Sequence, residues 1–406
     1  MSKTKRFITI LISSVVVLST NLFATSFFSG YAGGKLNYSA NPETTEYNPD
    51  LKLQAFFAGQ FNYTQNVCSH LEFSIDTGDF LNESFFHQTE SLFQIDELSF
   101  IARVKIEDCT NYFSAFMGTY DPIGSDIFLQ RYFAIPQIAS KLTESYLGLA
   151  GSILYPHFGI GISDIVKINT TPIALGGYIY VNHEDAKYYV LNTDLRFACS
   201  YRYFTCDFAG GLGFPLSNKH QGDDVIVAID KVYWHAGTTI LFGNNYTTSL
   251  FIQAGINNAS FTPRTNNTIV SPSDIYLLFE PRFISGTAHF NFSLFAFPAE
   301  TVKKLLFVDD SFGADINIYT ENKTIGTNTF KFGNHICFSL KDKTFMDIAD
   351  YSNLLSNGYN INVCPYISTN ILSGELHMEA KLRIMDFVEQ RIANGISVDI
   401  GYRTSF

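Results

Sequence analysis

Hydrophobic and polar residues alternate along the last eleven positions of the chain. The apolar set comprises Ile396, Val398, Ile400, Tyr402, Thr404 and Phe406, and the polar set comprises Ser397, Asp399, Gly401, Arg403 and Ser405. Successive side chains of a β-strand point to opposite faces, so this period predicts a strand with one apolar and one polar face. A soluble sheet could show the same alternation.

The same period of two recurs along most of the chain. From Leu51 to Tyr63 the residues Lys52, Gln54, Gln60 and Asn62 share one face, interrupted only by Phe56 and Ala58. The pattern predicts strands near residues 27–38, 51–63, 68–79, 93–106, 112–120, 187–201, 204–214, 225–242, 247–260, 275–284, 286–297, 311–320, 327–341, 359–369, 373–386 and 394–406. Three more segments alternate between 143 and 181, at residues 144–154, 157–167 and 173–181.

The connections between these strands differ in length in a regular way. Long ones, such as 39–50, 80–92 and 121–142, alternate with tight turns such as 64–67 and 107–111. A closed antiparallel up-and-down barrel has an even number of strands, and keeping its long loops at one end requires an even number of strands between 143 and 181. This requirement for an even number, which we call parity, disagrees with the three alternating segments there. We follow parity and predict 18 strands, with 16 as the alternative.

The chain ends on an alternating strand whose last residue is aromatic, and this ending resembles the closing strand of bacterial outer-membrane β-barrels. The resemblance implies an all-β fold, a transmembrane antiparallel up-and-down β-barrel that forms one domain over residues 25–406. It also implies that Tyr402 and Phe406 belong to the signal read by the barrel-assembly machinery. It covers the barrel plan and the C-terminal ending, and it includes no family-specific motif.

The beginning of the chain predicts export. Lys3, Lys5 and Arg6 precede an apolar run from Phe7 to about Leu18, and Asn21-Leu22-Phe23-Ala24 follows. This is the plan of a secretory signal peptide, residues 1–24, with cleavage after Ala24. Together with the barrel resemblance it predicts a bacterial cell outer membrane location; the source, a proteobacterium or a spirochaete, stays open.

Composition favours strands over helices as the membrane-crossing elements. No segment after Ala24 reaches the roughly 18 uninterrupted apolar residues that a membrane helix needs. Yet 39 Phe and 23 Tyr contribute to 16% aromatic residues, and charged residues are also only 16%. A barrel turns such residues toward lipid, whereas the alternative, a secreted β-sandwich or β-solenoid, must turn its apolar face inward.

Charge argues against nucleic acid as a partner. Loss of the three basic residues of the signal peptide lowers Lys and Arg from 27 to 24 against 38 Asp and Glu, a net charge of −14. Phosphate backbones attract basic surfaces, so we expect outer-membrane lipid and small solutes or ions as partners, with a mild preference for cations. A homotrimer is common among porins of this size, but no pattern identifies an interface.

Six cysteines in an exported chain can form disulfides. The order of the predicted strands places cysteines that are consecutive in the sequence near each other, on matching strand faces. It therefore predicts three close pairs that can oxidise: Cys68 with Cys109, Cys199 with Cys206, and Cys337 with Cys364. The alternative is that some are small apolar residues of strands. Neither C-x-x-C nor a Cys/His spacing typical of metal ligands occurs, so no metal site is predicted.

Signatures of enzymes are missing from the sequence. It contains no G-x-S-x-G elbow and no H-E-x-x-H, and its Gly-rich spots open no helix after a strand. We therefore expect no catalytic residues, no enzyme activity and no cofactor. An outer-membrane protease or lipase could still assemble its catalytic residues in space without a local motif.

The polar strand faces and one long loop carry the candidate site. Charges of both signs on the polar faces are typical of a water-filled pore, with salt bridges across a plugged barrel as the alternative. Loop 121–142 is unusually apolar, so it should pack against something; its position is similar to the third loop of general porins, which folds into the lumen. By that analogy Asp121 and Asp126 face basic wall residues such as Arg103, Lys105 and Arg196; with Lys52 from the polar strand faces, these are the predicted pore-lining residues.

Three functions remain open at this point. The leading interpretation is an outer-membrane porin that allows passive diffusion of ions and small polar solutes through a water-filled barrel. An alternative is a specific channel for hydrophobic ligands such as long-chain fatty acids, in which Phe128, Tyr132, Phe133 and Ile135 would line a pocket. A further alternative is a surface adhesin.

Overall fold

Strands dominate the computed structural model, which describes residues 28–40, 49–81, 92–144, 151–155, 158–185, 188–216, 226–227, 231–261, 270–271, 274–325, 328–347, 353–389, 391 and 394–406. The predicted signal peptide, residues 1–24, lies outside these residues. The strands are β1 Phe28–Ala40, β2 Pro49–Asn62, β3 Val67–Asp76, β4 Leu92–Ile106, β5 Cys109–Thr119, β6 Ile123–Ser125, β7 Gly151–Tyr155, β8 Phe158–Ile168, β9 Ile173–Asp185, β10 Tyr188–Tyr201, β11 Phe204–Leu216, β12 Tyr233–Phe242, β13 Ser249–Ser260, β14 Ile275–Ser285, β15 Ala288–Ala296, β16 Phe312–Ile325, β17 Asn328–Leu340, β18 Tyr359–Ile371, β19 Gly374–Arg383 and β20 Ile396–Ser405.

Eighteen of these strands form one closed antiparallel barrel. Each barrel strand pairs with the next along the chain, and β20 closes the barrel on β1 with Tyr31 opposite Ser405 and Ser39 opposite Ser397. Closure leaves no strand edge unpaired, which is what a sheet needs in lipid. The predicted all-β, 18-stranded, up-and-down barrel is confirmed.

The outer surface of the barrel is apolar. Leu195 is 75% exposed, Ile160 64% and Ile162 60%, and many other large apolar side chains on the outward faces are similarly exposed. Tyr63, Tyr201 and Tyr203, on or beside the tight turns, are about half exposed. An apolar belt with aromatic residues at its rim is the exterior expected of a barrel that faces lipid.

The region between 143 and 181 settles the conflict between pattern and parity. β8 and β9 are barrel strands, and β8 pairs directly with β5, so residues 120–157 form a long insertion between two neighbours in the wall. β7 overlaps the end of the predicted segment 144–154 but pairs with β6 outside the barrel sheet. The parity prediction was correct, because an alternating segment can also belong to a small sheet that is not part of the wall.

In the described connections there are three short helices: α1 Ile127–Phe133, α2 Ala299–Val302 and α3 Ile384–Val388. None of the described helices is long and apolar enough to cross a bilayer. We call the rim that carries the tight turns and both described chain ends the turn end, and the opposite rim the loop end.

The C-terminal aromatic residue packs on the closing seam of the barrel. The Phe406 ring stacks on Phe28 with 4.9 Å between centroids and lies 5.8 Å from Phe57. Its backbone exchanges two hydrogen bonds with Gly30, and the Tyr402 hydroxyl donates to the Leu372 carbonyl at 2.8 Å. Recognition of these residues by an assembly machinery stays a prediction.

The cysteine pairs differ from one another. Cys199 and Cys206 are register partners on β10 and β11, with 3.1 Å between sulfur atoms. Cys337 lies opposite Asn362, and Cys364 opposite His335, so these two thiols are diagonal neighbours. Diagonal Cβ atoms lie about 7 Å apart, further than the about 3.8 Å of a disulfide.

The predicted pairing of Cys68 with Cys109 was wrong. Cys68 belongs to β3 and Cys109 to β5, and β4 lies between these strands. The strand predicted at residues 112–120 begins at Cys109 in the structure, as β5. The late predicted start had put Cys109 in the turn beside β4. All six cysteines are free thiols in the structure.

Candidate functional site in the barrel lumen

Residues 120–144, which we call the inserted segment, leave the barrel wall at the loop end of β5 and cross the lumen. α1 forms its centre, and Phe128, Leu129 and Tyr132 on that helix are almost completely buried. They belong to a hydrophobic cluster that also contains wall residues, among them Ile101, Phe116, Ile165, Phe251 and Leu278. Burial of these apolar side chains explains why so apolar a loop leaves the surface.

Polar side chains of the wall hold the backbone of the inserted segment. Arg196 on β10 donates to the Asp121 carbonyl at 2.6 Å, and Lys167 on β8 donates to the Tyr132 carbonyl at 2.7 Å. On β13, Gln253 donates to the Gly124 carbonyl, also at 2.7 Å. These anchors come from widely separated strands, so the segment is fixed across the lumen.

The far end of the inserted segment reaches the turn end of the barrel. The Asn245 side chain, in the turn between β12 and β13, donates to the Gln137 carbonyl at 2.7 Å. Nearby, Ser140 donates a short hydrogen bond to Glu280 on β14, whose carboxylate also accepts from Ser293 and Arg282. The segment therefore extends over the height of the lumen.

Arg131 on α1 joins the inserted segment to β4. Its guanidinium donates to both carboxylate oxygens of Glu97, at 2.8 and 3.0 Å, and to the Asp121 carboxylate at 2.6 Å. It also lies over the Tyr120 ring, 4.7 Å from the centroid. Both carboxylate side chains are 0% exposed, so this is a buried ion-pair network, in which loss of one partner is costly.

Asp126 organises the turn that follows α1. Its carboxylate accepts hydrogen bonds from the backbone N–H groups of Ile138 and Ala139, at 2.8 and 2.7 Å. Burial raises the pKa of Asp126 to about 7, although the two N–H groups favour the charged form. The carboxyl thus ties the two halves of the inserted segment together.

A second connection, residues 297–311, also packs inside the barrel. The Phe307 ring stacks on His335 of β17 with 4.1 Å between centroids, and Asn362 of β18 donates to the Phe307 carbonyl at 3.0 Å. The Asp309 carboxylate forms ion pairs with Lys381 and Arg383 on β19. Burial opposes ionisation of Asp309, but these cations outweigh it and lower its pKa.

The two connections fill the lumen unevenly. Beside the inserted segment, the side chains of Arg196 and Glu280 are 1% exposed. Toward β1, β19 and β20, exposure of the side chain rises to 26% for Lys35, 20% for Glu375 and 39% for Arg403. Open lumen therefore remains on the β1 side of the barrel.

Two cavities lie on that side of the barrel, both next to tight turns of the turn end. One of about 610 Å³ lies against α1 and is lined by Gln60, His70, Glu72, Arg103 and Arg131, among others. A second of about 630 Å³ is lined by residues including Glu375, Asn370 and Arg403. Tyr31 borders both, so the cavities adjoin around this one side chain.

The structure brings some predicted site residues together and separates others. Asp121 and Arg196 meet, but through the Asp121 carbonyl, and Arg196 forms its ion pair with Asp207 on β11. Asp126 lies inside the inserted segment and binds backbone N–H groups rather than a basic wall residue.

The remaining predicted residues lie at the two rims. Arg103 and Lys105, near the turn end of β4, are exposed, and neither pairs with Asp121 or Asp126 in the described part of the chain. Lys52 faces the loop end, where its ammonium lies 3.8 Å from Asp50. Of the basic residues that the porin analogy placed opposite the acidic ones, Arg196 contacts Asp121, whereas Asp126 has no basic wall residue among its hydrogen-bond partners in the described part of the chain. A pore-lining role for these residues stays a prediction.

Sequence reasoning missed the residues that hold the lumen together. Arg131 supplies from within the loop the cation that was expected from the wall, and Glu97 on β4 is its partner. Both could have been noticed, because Glu97 is an acidic residue on a lumen face and Arg131 is a cation in the middle of an apolar segment. The role of residues 297–311 had no comparable signal.

Comparisons with known proteins show likeness in architecture alone. No protein-family model matches the chain, and no curated protein matches its sequence. Among solved structures it is similar to Wzi, an outer-membrane protein involved in group 1 capsule assembly in Escherichia coli and described as a carbohydrate-binding β-barrel. The identity is 10%, the match covers 98% of this chain and 88% of Wzi, and the TM-score is 0.47.

A substituted form of the Rh. blastica porin is also similar, with 9% identity over 93% of this chain and 99% of the porin and a TM-score of 0.37. Both similar structures are outer-membrane β-barrels. The assignment of this chain to a barrel rests on its own strand pairing.

Proposed function

We propose that this protein is an outer-membrane channel for the passive diffusion of ions and small polar solutes, and that solutes pass beside the inserted segment rather than through an open barrel. The observation that carries the proposal is the uneven filling of the lumen. Polar cavities of about 610 and 630 Å³ remain on the β1 side, and charged side chains of both signs border them. The proposal involves no bond chemistry.

The chemistry of this side fits polar cargo. Lys35, Arg403 and Glu375 keep part of their surface in contact with solvent, so hydrated ions could exchange water for these groups at little cost. Beside Tyr120 and Tyr178 the inserted segment leaves a cavity of only about 30 Å³, which is room for about two water molecules and not for a hydrophobic ligand. Tyr132 borders the cavity of about 610 Å³, which it shares with the charged side chains of Arg103 and Arg131.

Planar-bilayer recording tests the proposal. We expect stable ohmic steps from the wild-type barrel, with a reversal potential shifted toward cations under a salt gradient. Thr119 and Phe158 are register partners, so a turn of about four residues can replace residues 120–157 while keeping the hairpin. This shortened variant should conduct several-fold more than wild type.

Silence from a wild-type barrel that is shown to be folded, together with conduction by the shortened variant, would contradict passive diffusion. It would favour a closed barrel that binds a ligand, and the polar cavity with Tyr31, Tyr112 and His70 at its wall supports that second candidate. Carbohydrates are one ligand class to test by calorimetry. An adhesin would act through outer loops, of which residues 41–48 and 82–91 lie outside the described part.

A further inference from the structure

Two buried glutamates face each other across neighbouring strands of the lumen wall. Glu72 on β3 and Glu97 on β4 are register partners, and they are 7% and 0% exposed. Like charges directly opposite each other on a sheet repel, and the repulsion increases where water is excluded. Such a pair requires nearby positive charge.

The described partners compensate only one of the two carboxylates. Glu97 binds Arg131 through both oxygens and also accepts from the Ser99 hydroxyl. Arg131 is shared with Asp121, so it does not neutralise Glu72 as well.

Glu72 is more than nine-tenths buried and is left with one unsatisfied oxygen. Its Oε1 lies 2.6 Å from His70 Nε2, and its side chain is 9% exposed. Its Oε2 is buried and has no hydrogen-bond partner among the described residues. A buried carboxylate oxygen without a partner carries a desolvation cost that a bound cation would remove.

The three side chains have the donor set and the spacing of a metal site. One ring nitrogen of His70 and one carboxylate oxygen from each glutamate lie within 4.8 Å of one another. A tetrahedral ion with ligands at about 2.0–2.1 Å holds them about 3.3 Å apart, so small side-chain rotations suffice. His70 and Glu72 border the cavity of about 610 Å³, which gives an ion access and leaves room for water as the fourth ligand.

We propose that His70, Glu72 and Glu97 form a binding site for a divalent transition-metal ion of the zinc class. One imidazole and two carboxylates suit such an ion, whereas calcium takes six or more oxygen ligands. Glu97 would then be shared between the ion and Arg131. The competing description is a simple ion pair between protonated His70 and Glu72, which would bind no metal.

The test is calorimetric titration of the untagged barrel in detergent with zinc chloride, with calcium chloride as the comparison. Wild type should bind one zinc ion and no calcium, and His70→Asn and Glu72→Gln should each weaken zinc binding more than about tenfold. The matched control is His377→Asn. His377 on β19 also lies two residues before a glutamate, and its Nε2 is 2.9 Å from the Glu379 carboxylate. Its other ring nitrogen contacts Ser368. The control should bind zinc as wild type does.

Unchanged zinc binding in the His70 and Glu72 variants, or none in wild type, would overturn the proposal. Each variant must keep the heat-dependent gel mobility of the folded barrel. Should a variant fail that check, X-ray absorption of zinc-loaded wild type decides. Nitrogen and oxygen neighbours at about 2.0–2.1 Å with imidazole scattering support the site, and a shell without imidazole excludes it.

Discussion

Replacement of Arg131 by methionine should loosen the inserted segment without opening the barrel. Methionine keeps most of the length of the side chain but removes the cation that contacts Glu97 and Asp121. Arg131 is 16% exposed at its side chain and both carboxylates are 0% exposed. The variant would therefore leave two buried carboxylates without their guanidinium partner.

The expected size of the effect follows from this burial. Breaking a buried ion pair by removing one partner costs about 3–5 kcal/mol. At about 1.4 kcal/mol for each factor of ten, the lower figure corresponds to an opening equilibrium raised about 150-fold. The barrel wall should be spared, because the hydrogen bonds between β4 and its neighbours do not depend on Arg131.

Hydrogen exchange measures this opening directly. The informative amides are those of Gln130, Ala134, Ile138 and Ala139, which donate hydrogen bonds within the inserted segment. In Arg131→Met they should exchange about 10²-fold faster than in wild type, while amides of β12 should keep their rates.

A second substitution separates charge from packing. Adding Glu97→Gln to Arg131→Met removes one of the uncompensated charges, so the double variant should recover much of the lost protection. Exchange in Arg131→Met within about threefold of wild type would refute the buried-network reasoning. Equal exchange in the single and double variants would assign the effect to the lost ion pair with Asp121 or to the lost contact with Tyr120, and not to Glu97.

Two further predictions follow from titration and thiol chemistry. The pKa of Asp126 is raised from the usual 3.8 to about 7. Its contribution to holding the inserted segment is therefore complete below pH 3.8 and is lost as the pH rises through about 7. Between these pH values, hydrogen-exchange protection of the Ala139 amide should fall more in wild type than in Asp126→Asn. Cys199 and Cys206, in register and 3.1 Å apart at sulfur, should oxidise to a disulfide after export, so a thiol assay in denaturant should find four free thiols. Six free thiols would contradict this.

The barrel could be predicted from the sequence because its two solvents are so different. Lipid outside and a polar lumen inside impose the period of two on every wall strand, as in β20, where Ile400 faces outward and Asp399 is buried in the lumen. Parity then gave the correct number of strands without locating them. The exterior therefore carries a strong and redundant signal.

The lumen could not be predicted to the same depth, because its contacts are made between segments far apart in the chain. Asp121 is ten residues from its partner Arg131, but Glu97 is thirty-four residues from Arg131, and Arg196 is seventy-five residues from Asp121. An apolar loop indicates that it packs somewhere, and neither its path nor its partners follow from alternation. Charge on a lumen face likewise does not tell a pore-lining group from an anchor.

The anchors explain how an apolar segment can occupy a polar lumen. Backbone carbonyls of the inserted segment accept hydrogen bonds from the wall side chains of Arg196, Lys167 and Gln253. The polar groups of the wall are thus paired with the backbone of the segment, while its apolar side chains pack against apolar residues.

Beside the inserted segment, many charged residues that alternation assigns to a pore therefore hold the segment in place instead. Selectivity, under the proposed function, should be sought where charges still meet solvent, at Lys35, Glu375 and Arg403. Substitution of Asp121 should alter the position of the inserted segment first and the ion preference only as a consequence.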